Sequence, residues 1–239
     1  MATPPSNPIA KSRIREAEPK DIEAIRTGMI ASLTSDPTWR IRFINRDKYP
    51  EDLYKYSRLY IELMVSGKFP DYLTMIVEVE EDSGWKVAAL SIWDASYVNR
   101  RICKAKGETY NPPTPGEAME AAGVSTRRDV DPTYDAAFIK AIGEARKEFT
   151  EMFNGDEFYL GLIGTHPDFR RRGYATQLLK WGIERSIRDD APLVLSASAM
   201  GEPLYLASGF EELGRVPIIV AEGDYEKHEF VKMVYRPTK

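Results

Sequence analysis

The sequence predicts an α/β fold, a β-sheet flanked by helices, and three observations carry that prediction. Two β-rich runs at about 71–80 and 85–93 flank the turn Glu81-Asp82-Ser83-Gly84 and read as a hairpin. Beyond Gly155 the order strand, helix, strand implies a parallel pair joined by a right-handed crossover. The 239 residues are 43% hydrophobic, and a chain of that length can remove roughly 70–75% of its unfolded surface from water.

Each element has its own local reason. Residues 1–10 are rich in Pro, Ser and Asn and read as a flexible N-terminal tail. Arg13-Ile14-Arg15-Glu16-Ala17 alternates and suits a short strand. Pro19-Lys20-Asp21 opens a helix that carries Ile22, Ile25, Met29 and Leu33 at helical spacing. A second helical pattern runs over about 50–65, with Leu53, Tyr56, Leu59, Tyr60 and Leu63-Met64 along one side. The hairpin strands follow. From 97 to 132 the pattern breaks into Pro, Gly and charged residues, and this stretch is expected to be irregular. Asp131-Pro132 then starts a helix to about Asn154-Gly155, with Phe138, Ile139, Ile142, Ala145, Phe149 and Phe153 as its apolar stripe. The remaining order is strand, helix, strand, helix, strand, strand. Because 97–155 is too short for a second core, residues 11–239 are read as a single domain lengthened by an insertion.

Composition excludes several classes of function. Only Cys103 is present, so no internal disulfide can form and no thiolate cluster can hold zinc. His166 and His228 are the only histidines, so no metal is expected. The net charge is −4 and the pI near 5.5, which argues against bulk nucleic-acid binding. The opening Met1-Ala2-Thr3-Pro4-Pro5 lacks the basic start and apolar run of a signal peptide. No stretch approaches 18 apolar residues. The expectation is a cytoplasmic protein with no membrane and no nucleic-acid partner, either a monomer or a homodimer.

The stretch most informative about chemistry runs from 158 to 187. Phe158-Tyr159-Leu160-Gly161-Leu162-Ile163-Gly164 is apolar and short enough for a central strand, ended at Thr165-His166-Pro167 by the proline. Arg170-Arg171-Arg172-Gly173-Tyr174-Ala175-Thr176 then leads into a helix with Leu178, Leu179, Gly182, Ile183 and Ile187 on one face. A strand, a tight turn and a helix N-terminus make an anion site, since the first amides of the helix lack intrahelical partners and its dipole adds positive potential. The small residues Gly173 and Ala175 allow close approach of phosphate oxygens. The loop is neither a Walker loop, which needs Gly-Lys-Ser/Thr, nor a Rossmann fingerprint, which needs three glycines.

Arg170-x-x-Gly173-x-Ala175 after a strand ending in His166-Pro167 resembles the signature of the GNAT superfamily of acetyl-CoA-dependent N-acetyltransferases. A second match follows: the strand Pro192-Leu193-Val194-Leu195-Ser196-Ala197-Ser198, then Leu204-Tyr205-Leu206-Ala207-Ser208-Gly209-Phe210, similar to the family's Leu-Tyr-x-x-x-Gly-Phe helix. The resemblance spans roughly 12–236 in element order, and its close motif match lies within about 158–214. Ala175 stands where glycine is commoner, and Ser196 stands where relatives often carry an acid.

The resemblance implies a mixed, mostly antiparallel sheet splayed at the cofactor site. It implies that Arg170, Arg171, Arg172, Gly173, Tyr174, Ala175 and Thr176 cradle the pyrophosphate of coenzyme A. Ile163, Gly164 and Thr165 would hold its pantetheine arm, with Ser198 also at the cofactor. Tyr205 falls on the family's tyrosine, where a phenol donates its proton to the leaving thiolate. The implied reaction is acetyl transfer from acetyl-CoA to a primary amine of a small molecule by direct attack in a ternary complex. Cys103 lacks a neighbouring His or acid and is not read as a nucleophile. Rival readings are a protein lysine or N-terminal acetyltransferase and a non-catalytic acyl-CoA-binding module.

The general base stays open among His166, Asp94, Glu157, Glu222 and a water chain. Trp39, Phe43, Tyr49, Tyr54, Trp93 and Tyr97 cluster in segments that wall the acceptor site in this family, although core packing explains most of them. The helix at about 131–154 is expected beside the acceptor cleft, so that removing 104–128 would change amine preference and spare coenzyme affinity.

Overall fold

The computed structural model describes residues 11–220 and 228–237. The N-terminal tail reading and Glu222 lie outside the described residues. Strand β1 (Ser12–Glu16) leads through a single 3-10 turn at Pro19–Asp21 into α1 (Ile22–Leu33). The turn forms because the Asp21 carboxylate accepts from the Glu18 amide at 2.8 Å, and Arg15 donates to the same carboxylate at 2.6 Å. The regular helix therefore starts later than its proline suggests. A short helix that the sequence reading passes over, α2 (Pro37–Arg42), is capped by Asp36, whose Oδ1 accepts from the Thr38 amide at 2.9 Å. Helix α3 (Pro50–Val65) takes proline at its first position and Glu51 and Asp52 in its first turn. The expected hairpin is β2 (Tyr72–Glu81) with β3 (Gly84–Asp94).

The stretch expected to be irregular holds two helices, α4 (Tyr97–Ala105) and α5 (Pro115–Ala121). Cys103 thus sits on a helix. Within α4 only Tyr97 is buried, with its hydroxyl donating to Asp189 at 2.5 Å, and Val98 and Ile102 stay exposed, so tertiary contact at one residue anchors this helix. Helix α5 has a capping box, with Thr114 and Glu117 each accepting from the other's amide at 3.2 and 2.8 Å. Helix α6 (Pro132–Phe153) is capped by Asp131, whose Oδ1 accepts from the Tyr134 amide at 2.8 Å.

Strand β4 (Phe158–Thr165), α7 (Tyr174–Asp189), β5 (Leu193–Ala197), α8 (Glu202–Leu206), β6 (Glu211–Pro217) and β7 (Glu229–Tyr235) complete the described chain. The strands form one mixed, mostly antiparallel sheet in the order β1-β2-β3-β4-β5-β7-β6, with β4 and β5 parallel.

Two features of β4 shape everything around it. Its pairing with β5 covers only Phe158↔Leu193, Tyr159↔Val194 and Leu160↔Leu195, whereas its pairing with β3 continues to Thr165. The two parallel strands splay after Leu160. Opposite the pairs Ile92↔Leu162 and Trp93↔Leu160, Gly161 is an extra residue in β4. This bulge changes which face the strand presents. Leu160 packs with the α7 residues Leu178 and Leu179 and with Trp93, whereas Leu162, two residues on, packs with Ile25 and Met29 of α1 and Ile61 of α3. Helix α6 packs Phe138, Ala141, Ala145 and Phe149 against Val194, Phe230 and Val234.

Candidate active site

The end of β4, the loop after it and the start of α7 build the first part of the site. A 3-10 turn at Pro167–Phe169 follows the strand. Arg171 (φ 63°) and Gly173 (φ 79°) then adopt the left-handed conformation, and Gly173 caps α7. A Cβ added at Gly173 would meet no atom within 4 Å, so the space before the helix start is open. The first turn of α7 carries no acidic residue, which leaves its unpaired amides and its positive dipole end uncompensated. This arrangement can receive an anion.

The arginines differ in what they reach. The Arg170 guanidinium donates to the Ser32 carbonyl at 3.3 Å and the Thr165 carbonyl at 3.4 Å, tying the end of α1 to the end of β4. Arg171 is exposed on the loop. Arg172 lies over the Phe169 ring at 5.6 Å and borders a different groove, together with Trp85 and His166. Ile163, Gly164, Thr165, Arg170, Ala175, Ser198 and Tyr205 line one cavity of about 200 Å³. Arg171, Arg172, Gly173, Tyr174 and Thr176 do not line it. The Tyr174 side chain is buried in the core, so that residue presents only its backbone to the loop. Gly164 has a structural reason of its own: a Cβ there would lie 2.3 Å from Ser32 Oγ, so α1 can approach β4 only over a glycine.

Tyr205 borders this cavity and a smaller one of about 70 Å³ at the splay, where Tyr159, Gly161, Leu162, Ser196 and Phe230 also lie. Its ring packs against Phe210 at 5.7 Å and is buried. Burial, then the neighbouring Tyr159 and the Asp36 carboxylate, push the phenol well above the usual tyrosine range. Asp36, which the sequence reading passes over, is buried and lines the same cavity as Tyr205. It accepts from Ser198 Oγ at 2.5 Å, so the Ser198 hydroxyl is engaged with α2's cap.

None of the described candidates for general base lines these cavities or the larger one below. Nδ1 of His166 accepts from the Asp168 amide at 3.3 Å. Asp94 is ion-paired with Arg146 and accepts from the Ser96 amide at 2.8 Å. Glu157 is fully buried and accepts from Thr150 Oγ1 at 2.9 Å, with Arg100 at 3.7 Å. Each is committed to a local structural contact.

The third cavity, of about 420 Å³, has β4 at Gly161 and Leu162 as one wall and residues of α1, α2, α3, α5 and α6 as the others. Trp39 and Phe43 line it, as do Tyr56, Tyr60 and Phe138, which the sequence reading did not single out for the site. Tyr49, Tyr54, Trp93 and Tyr97 do not. Trp93 and Tyr97 are core residues, and Tyr54 is exposed, donating to Glu23 at 3.0 Å. Leu33 and Trp39 are walls of all three cavities, which run from the α7 start through the splay to the apolar pocket. Among the described residues, no group of three or more His, Cys, Asp or Glu is arranged to hold a metal ion. No described helix is long and apolar enough to cross a membrane.

Residues 136–209, from α6 to just past α8, match the sequence profile of the Acetyltransferase (GNAT) family. A curated acetyltransferase from Stachybotrys chartarum is 23% identical over 225 residues, covering 92% of this chain and 88% of that protein. Arylalkylamine N-acetyltransferase 2 from Aedes aegypti shares the fold with a TM-score of 0.59 at 12% identity, over 95% of this chain and 99% of that one. A structure from Corynebacterium glutamicum described as histone acetyltransferase HPA2 and related acetyltransferase aligns with a TM-score of 0.53 at 18% identity, over 95% and 97% of the two chains.

Proposed function

We propose, from the match of residues 136–209 to the Acetyltransferase (GNAT) family profile, that the chain is an acetyl-CoA-dependent N-acetyltransferase acting on a primary amine of a small molecule. The observation that carries the reading is the run of three cavities sharing Leu33 and Trp39, with Tyr205 at the junction of two. The fit to coenzyme A rests on the open space at Gly173, the acid-free helix start, and the free edge of β4 beyond Leu160. When bound, acetyl-CoA would supply a thioester activated toward an amine.

The residues divide the work by position. The amides at the start of α7 and Arg170 bind phosphate, with Arg171 adding charge at the rim. Beyond Leu160, amides on the β4 edge facing away from β3 hydrogen-bond the pantetheine arm and stabilise charge that develops on a carbonyl oxygen at the splay. Leu33 and Trp39 exclude water between donor and acceptor. Burial disfavours the phenolate and so keeps Tyr205 Oη protonated. As the C–N bond forms and the C–S bond breaks, the amine loses its proton to water, Tyr205 donates to the departing sulfur, and its phenol is restored by a proton from solvent. Most of the rate enhancement then comes from orientation of two bound substrates. A pocket of about 420 Å³ matches a small acceptor.

The test is release of free coenzyme A thiol across a panel of primary amines, with acetyl-CoA binding followed separately by calorimetry. The expected result is saturable, amine-dependent release, with kcat lowered at least about 10-fold in Tyr205→Phe while acetyl-CoA affinity is kept. Binding without release for any amine would assign an acyl-CoA-binding module instead. Release with lysine peptides but not with free amines would assign a protein acetyltransferase.

A further inference from the structure

The apolar pocket contains two guanidinium groups whose hydrogen-bonding capacity is only partly used. Arg42 donates through Nε to Asp135 at 2.5 Å. Its Nη1 and Nη2 have no partner among the described residues. Arg127 donates through Nε and Nη2 to Asp129 at 2.8 and 2.6 Å, and its Nη1 likewise has none. Both arginines line the 420 Å³ cavity and both side chains are largely buried, at 14% and 8% exposure.

Their faces are covered. The Arg42 guanidinium lies over Phe138 at 4.5 Å and over Phe43 at 5.3 Å, and Arg127 lies over the same Phe43 ring at 5.1 Å. Two cations flanking one ring can be approached only along their N–H edges. Their backbones are locked together as well. The Asp131 amide donates to the Arg42 carbonyl at 3.0 Å, and Asn45 donates through its side chain to the Val130 carbonyl at 3.0 Å. Burial, opposed by Asp135 and reinforced by the like charge of Arg127, pulls the Arg42 guanidinium below its ordinary value. A cavity lined by two guanidiniums, each paired with one carboxylate and each keeping spare N–H donors, favours a group that can accept those hydrogen bonds, a carboxylate most strongly. Among the described residues, the one acidic side chain lining it is Glu120, which is exposed on α5.

We propose that the acceptor carries an oxyanion, as an amino acid with an apolar or aromatic side chain does. Its carboxylate docks on the free N–H edges of Arg42 and Arg127, its apolar body lies among Trp39, Phe43, Tyr60 and Phe138, and its amine is directed to the splay at Gly161. This rests on the N-acetyltransferase reading and adds the acceptor class. It excludes amines that lack an acid group as preferred substrates, because they would leave the remaining desolvated N–H donors of both guanidiniums unpaired.

The test uses matched pairs: phenylalanine with phenethylamine, tryptophan with tryptamine, and phenylalanine with both its amide and its aminophosphonate analogue. The full chain is assayed by thiol release, and binding of N-acetylphenylalanine and its amide is measured by calorimetry without turnover. The acid of each pair is expected to exceed its uncharged counterpart in kcat/KM by at least about 10-fold, and N-acetylphenylalanine to bind tighter than its amide. Arg42→Lys and Arg127→Lys keep the charge but lose the planar fork, and each is expected to collapse the acid-to-amide ratio. A purely structural role would lower both members of a pair equally, and that result would overturn the assignment. Equal use of acid and amine by the unaltered protein would also overturn it. Preference for the aminophosphonate over phenylalanine would reject a carboxylate as the docked oxyanion. A binding gap between the N-acetylated acid and its amide, with no thiol release for any amine, would overturn the enzymatic reading and keep the oxyanion site.

Discussion

At Tyr205 the chemistry depends on what surrounds the phenol rather than on the residue type. Apolar packing and two neighbouring groups that carry or acquire negative charge, Asp36 and Tyr159, all disfavour its ionisation, and burial is the largest of these effects. The group is therefore a proton holder across the neutral range and cannot act as a base there. The sign of the shift fixes the pH behaviour. A raised phenol value moves loss of the proton upward, so Tyr205 should impose no fall in kcat below about pH 10, the ordinary tyrosine value. A kcat profile measured from pH 6 to 10.5 in the unaltered protein and in Tyr205→Phe should differ in height and not in the position of its alkaline limb. An alkaline limb near pH 8 that disappears in Tyr205→Phe would contradict this. Tyr205 could be singled out from the sequence because its neighbours Leu204, Gly209 and Phe210 carry a local pattern. Asp36 could not, because Asp36-Pro37 reads only as a helix cap, and its contact with Ser198 joins residues far apart in the chain.

Helix α7 depends on two glycines with different tasks. Near its middle, a Cβ at Gly182 would fall 2.1 Å from the Trp93 ring, so close packing of α7 on β3 requires glycine there. At its start, Gly173 sits in the left-handed region facing open space. An aspartate tolerates that conformation and adds a negative charge beside the free amides. Gly173→Asp should raise the apparent KM for acetyl-CoA at least about 10-fold, since a like charge about 4 Å from a phosphate costs about 1 kcal/mol in bulk water and about 4 kcal/mol at the lower effective dielectric near a protein surface. Arg172→Glu should have a much smaller effect, because Arg172 is turned toward Phe169 and Trp85. Steady-state titrations of acetyl-CoA at saturating amine would check both, and equal effects of the two substitutions would contradict the placement of the phosphates. The strand, loop and helix start could be read from consecutive residues because hydrogen bonding and backbone preferences there are local. The α4 and α5 region could not be placed from periodicity, since its anchors are single residues such as Tyr97 that meet distant partners.

Across the whole molecule, the segment between β3 and β4 supplies part of the wall of the large pocket, and specific pairs fasten it to the helices before the sheet. Asp52 of α3 accepts from the Arg128 amide at 2.8 Å and from its guanidinium at 2.7 and 2.9 Å. These hydrogen bonds from Arg128 hold the Asp52 carboxyl at about 2, below its ordinary 3.8. A depressed carboxyl value stabilises the fold above the unfolded value and loses that contribution as pH falls through the folded one. Asp52→Asn should therefore cost about 1–2 kcal/mol near neutrality, kept modest because Arg128 is half exposed. The gap in urea midpoint between the two proteins should narrow as pH falls from about 4 toward 2. A gap independent of pH would show that the ion pair is not its source. Since Arg127 adjoins this contact, the same substitution should raise the KM for the amine and leave that for acetyl-CoA unchanged.

The sequence by itself determined the α/β class, the β2–β3 hairpin, the α3 and α6 helices, and the strand–loop–helix unit around Gly173. Each of these follows from residues close in the chain, through alternation, helical spacing, caps and glycine conformation. Only the tertiary structure decided the rest. It decided the early splay of β4 from β5, the bulge at Gly161 that turns Leu162 toward α1, and the meeting of Asp36 with Ser198. It also decided that Arg42 and Arg127 flank one ring inside the large pocket. These depend on packing between elements far apart in sequence, where a one-residue change of register redirects every later side chain and local propensity carries no information about the partner.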